Sequence, residues 1–256
     1  MRLSTINLVA YVVLVIYCYL SVKLPLFGRS PVDVSDMFPT LFTPPDFFFR
    51  IWMLVYIELG IFTIGAYRQE KKNNGKQSKE VEYIGYLFLI SSILNIAWLI
   101  TWQLLYIPVS FLIVFALWLV LMRLYYKVSL VENAHWIYTF SMSLYFGWVC
   151  ISTLSCLNLT MIHLGVPYFG LGDESCAAMF IGYGILGTLW MLYLHKDITY
   201  TFVICWAFLG MYLKSRALFP DIMNKVAIMA LIAMCILLGV SLVIGVKRYR
   251  QSTVGD

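Results

Sequence analysis

Eight runs of mostly apolar residues divide the chain, at about 5–22, 47–67, 83–105, 109–126, 136–158, 177–195, 198–213 and 222–246. Most come close to the ~20 residues that a helix needs to cross a ~30 Å hydrocarbon layer. Lipid offers no water to backbone N–H and C=O groups, so such runs must satisfy their own polarity, and helices do this within one segment. Apolar residues make up 62% of the chain and charged ones 12%, against about 25% charged in an ordinary soluble domain. A water-soluble globule could not hide that much apolar surface. The expected fold is all-α, a polytopic membrane helix bundle.

Lysine and arginine set the orientation. The second loop carries Arg68, Lys71, Lys72, Lys76 and Lys79 and should face the cytoplasm. Eight spans then place both termini on the same side, which suits Arg2 at one end and Lys247, Arg248 and Arg250 at the other. Lys214, Arg216 and Lys225, in the connection before the last span, run against the bias. The net charge of +5 follows from this loop asymmetry, so it carries no argument for nucleic acid as a partner; the expected partner is the lipid bilayer. The six cysteines form no CxxC pair, and most lie within spans, where they read as small core residues. Cys156 and Cys176 both fall near the outer face and are the pair that could form a disulfide.

Three spans carry aromatic stripes at helical spacing. In TPPDFFFRIWMLVYIELG, the prolines Pro44 and Pro45 lead through Phe47 to Trp52, Tyr56 and Gly60, which recur every four residues. Asn95, Trp98 and Trp102 share a face of the third span, and Tyr145, Trp148, Ser152 and Thr153 a face of the fifth. Aromatic packing between helices accounts for such stripes, and so does a cavity for a planar apolar molecule. Glu58 lies mid-span, where a carboxylate is costly unless paired or protonated. Asn95 falls at the same depth, so a hydrogen bond from its amide to Glu58 is expected.

Two other patterns fail their context. Gly182, Gly184 and Gly187 spell GxGxxG, but no strand precedes them and they sit in an apolar span, where small residues serve close helix approach. His135, His163 and His195 are dispersed over three connections without metal-ligand spacing. Neither a metal site nor catalytic residues are expected.

In combination these stretches resemble the tryptophan-rich sensory protein, or translocator protein (TspO/MBR), family. Its second span opens on paired prolines followed by W-x-x-x-Y and a glycine, here Pro44, Pro45, Trp52, Tyr56 and Gly60. Its third carries LN-x-x-W and a further aromatic, here Leu94, Asn95, Trp98 and Trp102. Its fifth carries Y-x-x-W, here Tyr145 and Trp148. The resemblance covers about residues 5–158. It implies a five-span TspO-like core over residues 1–160, with three additional spans over 161–256. It implies as well a pocket for porphyrin or haem, sterols or other apolar small molecules, lined by Trp52, Tyr56, Asn95, Trp98, Trp102, Tyr145 and Trp148 and capped by Pro44, Pro45 and Phe47. Transport or sensing of such a ligand is the leading functional expectation. A structural or accessory subunit, packing through its extra spans in a larger membrane complex or as a homodimer, is the alternative. A porphyrin-degrading enzyme is the third reading.

Overall fold

The computed structural model describes residues 2–24, 26–38, 40, 42, 45–131, 135–165, 173–218 and 225–254. Among the described residues, all regular structure is helical. The protein is an all-α, polytopic membrane protein: among the described residues, seven helices are long and apolar enough to cross a bilayer.

The chain divides into two compact units, residues 1–39 with 50–164, and residues 40–49 with 165–256. The first unit contains α1 (Leu3–Lys23), α2 (Pro31–Met37), α3 (Ile51–Lys72), α4 (Lys79–Ile84), α5 (Leu87–Gln103), α6 (Ile107–Ser129) and α7 (Trp136–His163). Its long helices close a ring. α1 packs on α3 and α5, α3 on α7, α7 on α6, and α6 on α5. Side chains facing the middle of that ring come from distant parts of the sequence.

The third expected span differs from its prediction. The chain breaks at Gly85, whose φ of 54° and ψ of −132° suit glycine far better than any residue with a Cβ. The short helix α4 is thereby cut from α5. With 17 residues, α5 is about 25 Å long, a turn short of the hydrocarbon thickness.

Several hydroxyl side chains on α7 satisfy themselves locally. Ser143, Ser152 and Thr153 of α7 donate to the carbonyls of Thr139, Trp148 and Val149 at 2.7, 3.0 and 2.7 Å. Returning the bond to the preceding turn leaves a serine or threonine small and effectively apolar at its outer edge.

Where α1 begins and α3 ends, Glu70 is buried. It accepts a hydrogen bond from Ser4 Oγ and pairs with Arg2 at 3.4 Å. A carboxylate at the start of α1 also meets the positive end of the helix dipole.

Gly60, without a side chain, leaves a gap on its helix face, and Tyr11 of α1 fills it. A Cβ at Gly60 would lie 2.9 Å from Tyr11 Cζ and closer still to the hydroxyl, which itself donates to the Tyr56 carbonyl at 3.0 Å. Gly60→Leu must therefore drive Tyr11 from its seat. A loss of about 1–3 kcal/mol is expected from overpacking, read as a lower unfolding midpoint in detergent. Gly65→Leu, where a Cβ meets nothing within 4 Å, should leave that midpoint within about 0.5 kcal/mol of wild type.

The second unit packs α8 (Asp173–His195), α9 (Ile198–Leu218) and α10 (Lys225–Val254) on one another. Gly184 lets the ring of Phe208 approach α8, since a Cβ there would stand 2.9 Å from Phe208 Cζ. The GxGxxG run is thus helix-packing sequence. This unit also takes residues 40–49, which the sequence reading had assigned to the first 160 residues. Two phenylalanines anchor them: the buried Phe42 packs on Phe180 at 5.2 Å and the buried Phe48 on Trp206 at 4.5 Å. The Trp206 indole N–H donates to the Phe48 carbonyl at 3.4 Å. None of the six cysteines is in a disulfide, so the suggested Cys156–Cys176 bridge is not formed.

Candidate functional site

Trp52 and Tyr56, one turn apart on α3, stack with ring centroids 5.4 Å apart and an interplanar angle of 20°. Trp52 also reaches Trp98 of α5 at 5.8 Å and the edge of Tyr145 of α7 at 6.1 Å. Three helices therefore contribute to one aromatic cluster inside the first unit, at separations typical of direct ring contact. Trp98 and Tyr145 are buried, while Trp52 and Tyr56 keep partial exposure. Trp148, one turn beyond Tyr145 on α7, is buried as well.

Polar contacts hold the cluster in place. The Asn95 amide donates to Tyr145 Oη at 2.7 Å, in a position with no exposure for either residue. Asn95 Oδ1, equally buried, has no hydrogen-bond partner among the described residues. Tyr56 is fixed from α1 at both ends: Cys18 Sγ lies 3.0 Å from its hydroxyl and Tyr11 donates to its carbonyl. Cys18 and Tyr11 were missed from sequence, although they lie seven residues apart on one face of α1.

Glu58 does not pair with Asn95. It is half-exposed, its backbone carbonyl accepts from Ser141 Oγ at 3.3 Å, and its Oε2 has no hydrogen-bond partner among the described residues. Two residues separate it from Tyr56, which rotates it by about 200° around α3. It therefore points away from the cluster that holds Asn95.

Trp102 is set apart from the other rings. One turn beyond Trp98, it packs with Phe38 and Leu105 against Val34, Ile107 and Leu159, and its indole N–H donates to the Pro31 carbonyl at 2.9 Å. Beside it, the buried Gln103 donates to the Arg29 carbonyl at 2.8 Å, with longer contacts to those of Leu26 and Ser21, and faces Tyr17 Oη through Oε1 at 3.4 Å. Together they tie residues 26–37 to the end of α5. The segment is itself ordered by a capping box, in which Ser30 and Asp33 exchange hydrogen bonds of 2.7 and 3.2 Å and Pro31 opens α2. Hydrogen bonding from the Ser30 backbone N–H, and then from its side chain, holds the Asp33 carboxyl below the usual aspartate range.

The expected cap is Pro44, Pro45 and Phe47. Pro44 lies outside the described residues. Pro45 accepts from the Phe48 amide at 2.9 Å, and the exposed Phe47 lies against Phe48 at 4.3 Å. Both belong with the second unit, whose buried Phe42 and Phe48 hold their segment. Within the first unit, the segment fastened at the end of α5 is the stretch around α2.

A comparison with protein families matches residues 4–243 to the family described as TSPO-like protein. No curated protein and no solved structure matches the chain significantly. The match runs through α8, α9 and most of α10, so the likeness does not stop near residue 158 as the motifs alone suggested. The chain belongs to the TSPO-like protein family.

Proposed function

We propose that the first unit binds a planar hydrophobic molecule of the porphyrin (haem) or sterol class, for transport or sensing. One observation carries this reading: Trp52, Tyr56, Trp98 and Tyr145 converge from three helices of a family-matched membrane bundle. The rings already touch, so a flat guest stacks on the cluster from its accessible side instead of parting it. Trp52 is the natural platform, because it contacts the other three rings and remains partly exposed. Stacking on such a ring is worth on the order of 1–3 kcal/mol. The unpartnered Asn95 Oδ1 would accept a hydroxyl or pyrrole N–H from that guest, removing the penalty of a buried acceptor left alone.

In the test, purified protein in mild detergent is titrated with protoporphyrin while tryptophan emission is followed. Saturable quenching at one ligand per chain, with competition by a sterol or a second porphyrin but not by squalane, is the expected result. Quenching that rises linearly without saturation would contradict it.

The alternative of an accessory subunit rests on a different observation. Tyr183, Leu186, Trp190 and Tyr193 form one exposed stripe along α8, with Tyr193 79% exposed. A stoichiometric partner retained through gentle purification, and lost on Trp190→Ala/Tyr193→Ala, is the result that would favour it.

We also propose that both termini and the Lys71–Lys79 loop face the cytoplasm, with α5 crossing as an eighth, shorter span. The bias in basic residues supports this. So does the Arg2–Glu70 pair, which keeps the start of α1 beside the end of α3.

A further inference from the structure

The second unit has an apolar groove of its own, about 490 Å³, lined by Ile198 at the start of α9 and by Leu238, Ser241, Leu242, Gly245 and Val246 of α10. Gly245 helps to keep it open. A Cβ there would already be 3.8 Å from Ile198 Cδ1, so any longer side chain would extend into the space between the helices. Ser241, like Ser110 and Ser215, departs from the pattern of the other membrane hydroxyls. Ser152, Thr153, Thr160, Thr188 and Thr201 each donate to the carbonyl four residues back. Ser241 Oγ is buried, has no hydrogen-bond partner among the described residues and lines this groove.

The end of the groove is positively charged. Lys196 lies exposed in the turn between α8 and α9, two residues before Ile198, and Lys247 lies exposed two residues beyond Gly245. Arg248 and Arg250 follow in the sequence. The one acidic group in that turn, Asp197, is engaged as the cap of α9, accepting from the Tyr200 amide at 2.9 Å.

We propose that this groove is a binding site for an anionic glycerophospholipid, with one acyl chain between α9 and α10 and the phosphate held by Lys196 and Lys247. Ser241 lies six residues before Lys247, about 9 Å deeper along the helix. With the lysines reaching up to the headgroup level, Ser241 stands beside the ester region and donates to an ester carbonyl. A zwitterionic lipid offers the same chains and esters without net charge, so the lysines confer the preference for the anionic form.

The test is native mass spectrometry of the full chain, released from micelles supplemented with dioleoyl phosphatidylglycerol or dioleoyl phosphatidylcholine. One phosphatidylglycerol per chain should survive activation, with phosphatidylcholine retained at least tenfold less. A basic residue near an anionic headgroup is worth about fivefold in affinity, so Lys196→Gln/Lys247→Gln should lower retention by about 25-fold. Gly245→Leu should abolish retention by filling the groove with the charge unchanged, while Lys71→Gln/Lys72→Gln in the other unit should leave it intact. Equal retention of the two lipids, unaltered phosphatidylglycerol binding by Gly245→Leu, or an equal loss in the Lys71/Lys72 variant would each overturn the proposal.

Discussion

Tyr145→Ala is expected to lower the unfolding free energy in mild detergent by about 3–5 kcal/mol, the range for deleting a fully buried aromatic side chain. Tyr145 has no exposure, lies edge-on to Trp52 and accepts the Asn95 amide. Removing its ring opens a cavity where the helices of the first unit converge and strands a buried amide. Tyr145→Phe separates the two effects. It keeps the ring and deletes only the acceptor, so it should cost about 1–3 kcal/mol for the unsatisfied donor. Unfolding can be followed through the buried Cys18 and Cys156, which become available to a thiol-reactive dye only when the bundle opens. Equal losses for the two variants would mean that the ring contributes nothing beyond its hydroxyl, contrary to the packing described.

The parts of this arrangement legible in the sequence were those governed by one helix at a time. Apolar run length located the membrane helices, and spacings of four and three residues put Trp52 with Tyr56 and Asn95 with Trp98 on shared faces. The misreadings arose where two helices had to be placed against each other. Glu58 and Asn95 were matched by depth, but depth says nothing of azimuth, and Glu58 faces away from Tyr56 on its own helix. Gln103 escaped notice because its partners, Ser21, Leu26 and Arg29, lie more than 70 residues earlier. Nothing local marks a glutamine at the end of an apolar run as the anchor of a distant loop. The resemblance made Pro44, Pro45 and Phe47 a cap, and the phenylalanines of that segment, Phe42 and Phe48, bury in the second unit against Phe180 and Trp206. Gly85 was read through as part of one long span, since a single glycine in an apolar run is more often tolerated than not.

Trp52 carries the second large expectation, and it concerns binding more than folding. Its ring is in contact with Tyr56, Trp98 and Tyr145 yet is not itself fully buried. Truncation therefore opens the cluster from its accessible side. Stacking of a flat ligand on an aromatic side chain is worth on the order of 1–3 kcal/mol, so Trp52→Ala should weaken protoporphyrin binding by about tenfold or more. Trp190, exposed on α8, is the matched control: the same substitution removes an indole from the second unit without touching the cluster. The decisive measurement is the protoporphyrin dissociation constant of wild type, Trp52→Ala and Trp190→Ala, determined side by side by absorbance so that the lost tryptophan does not bias the signal. The account predicts a tenfold or greater weakening for Trp52→Ala and a value within twofold of wild type for Trp190→Ala. Unchanged affinity in Trp52→Ala, or a loss confined to Trp190→Ala, would contradict it.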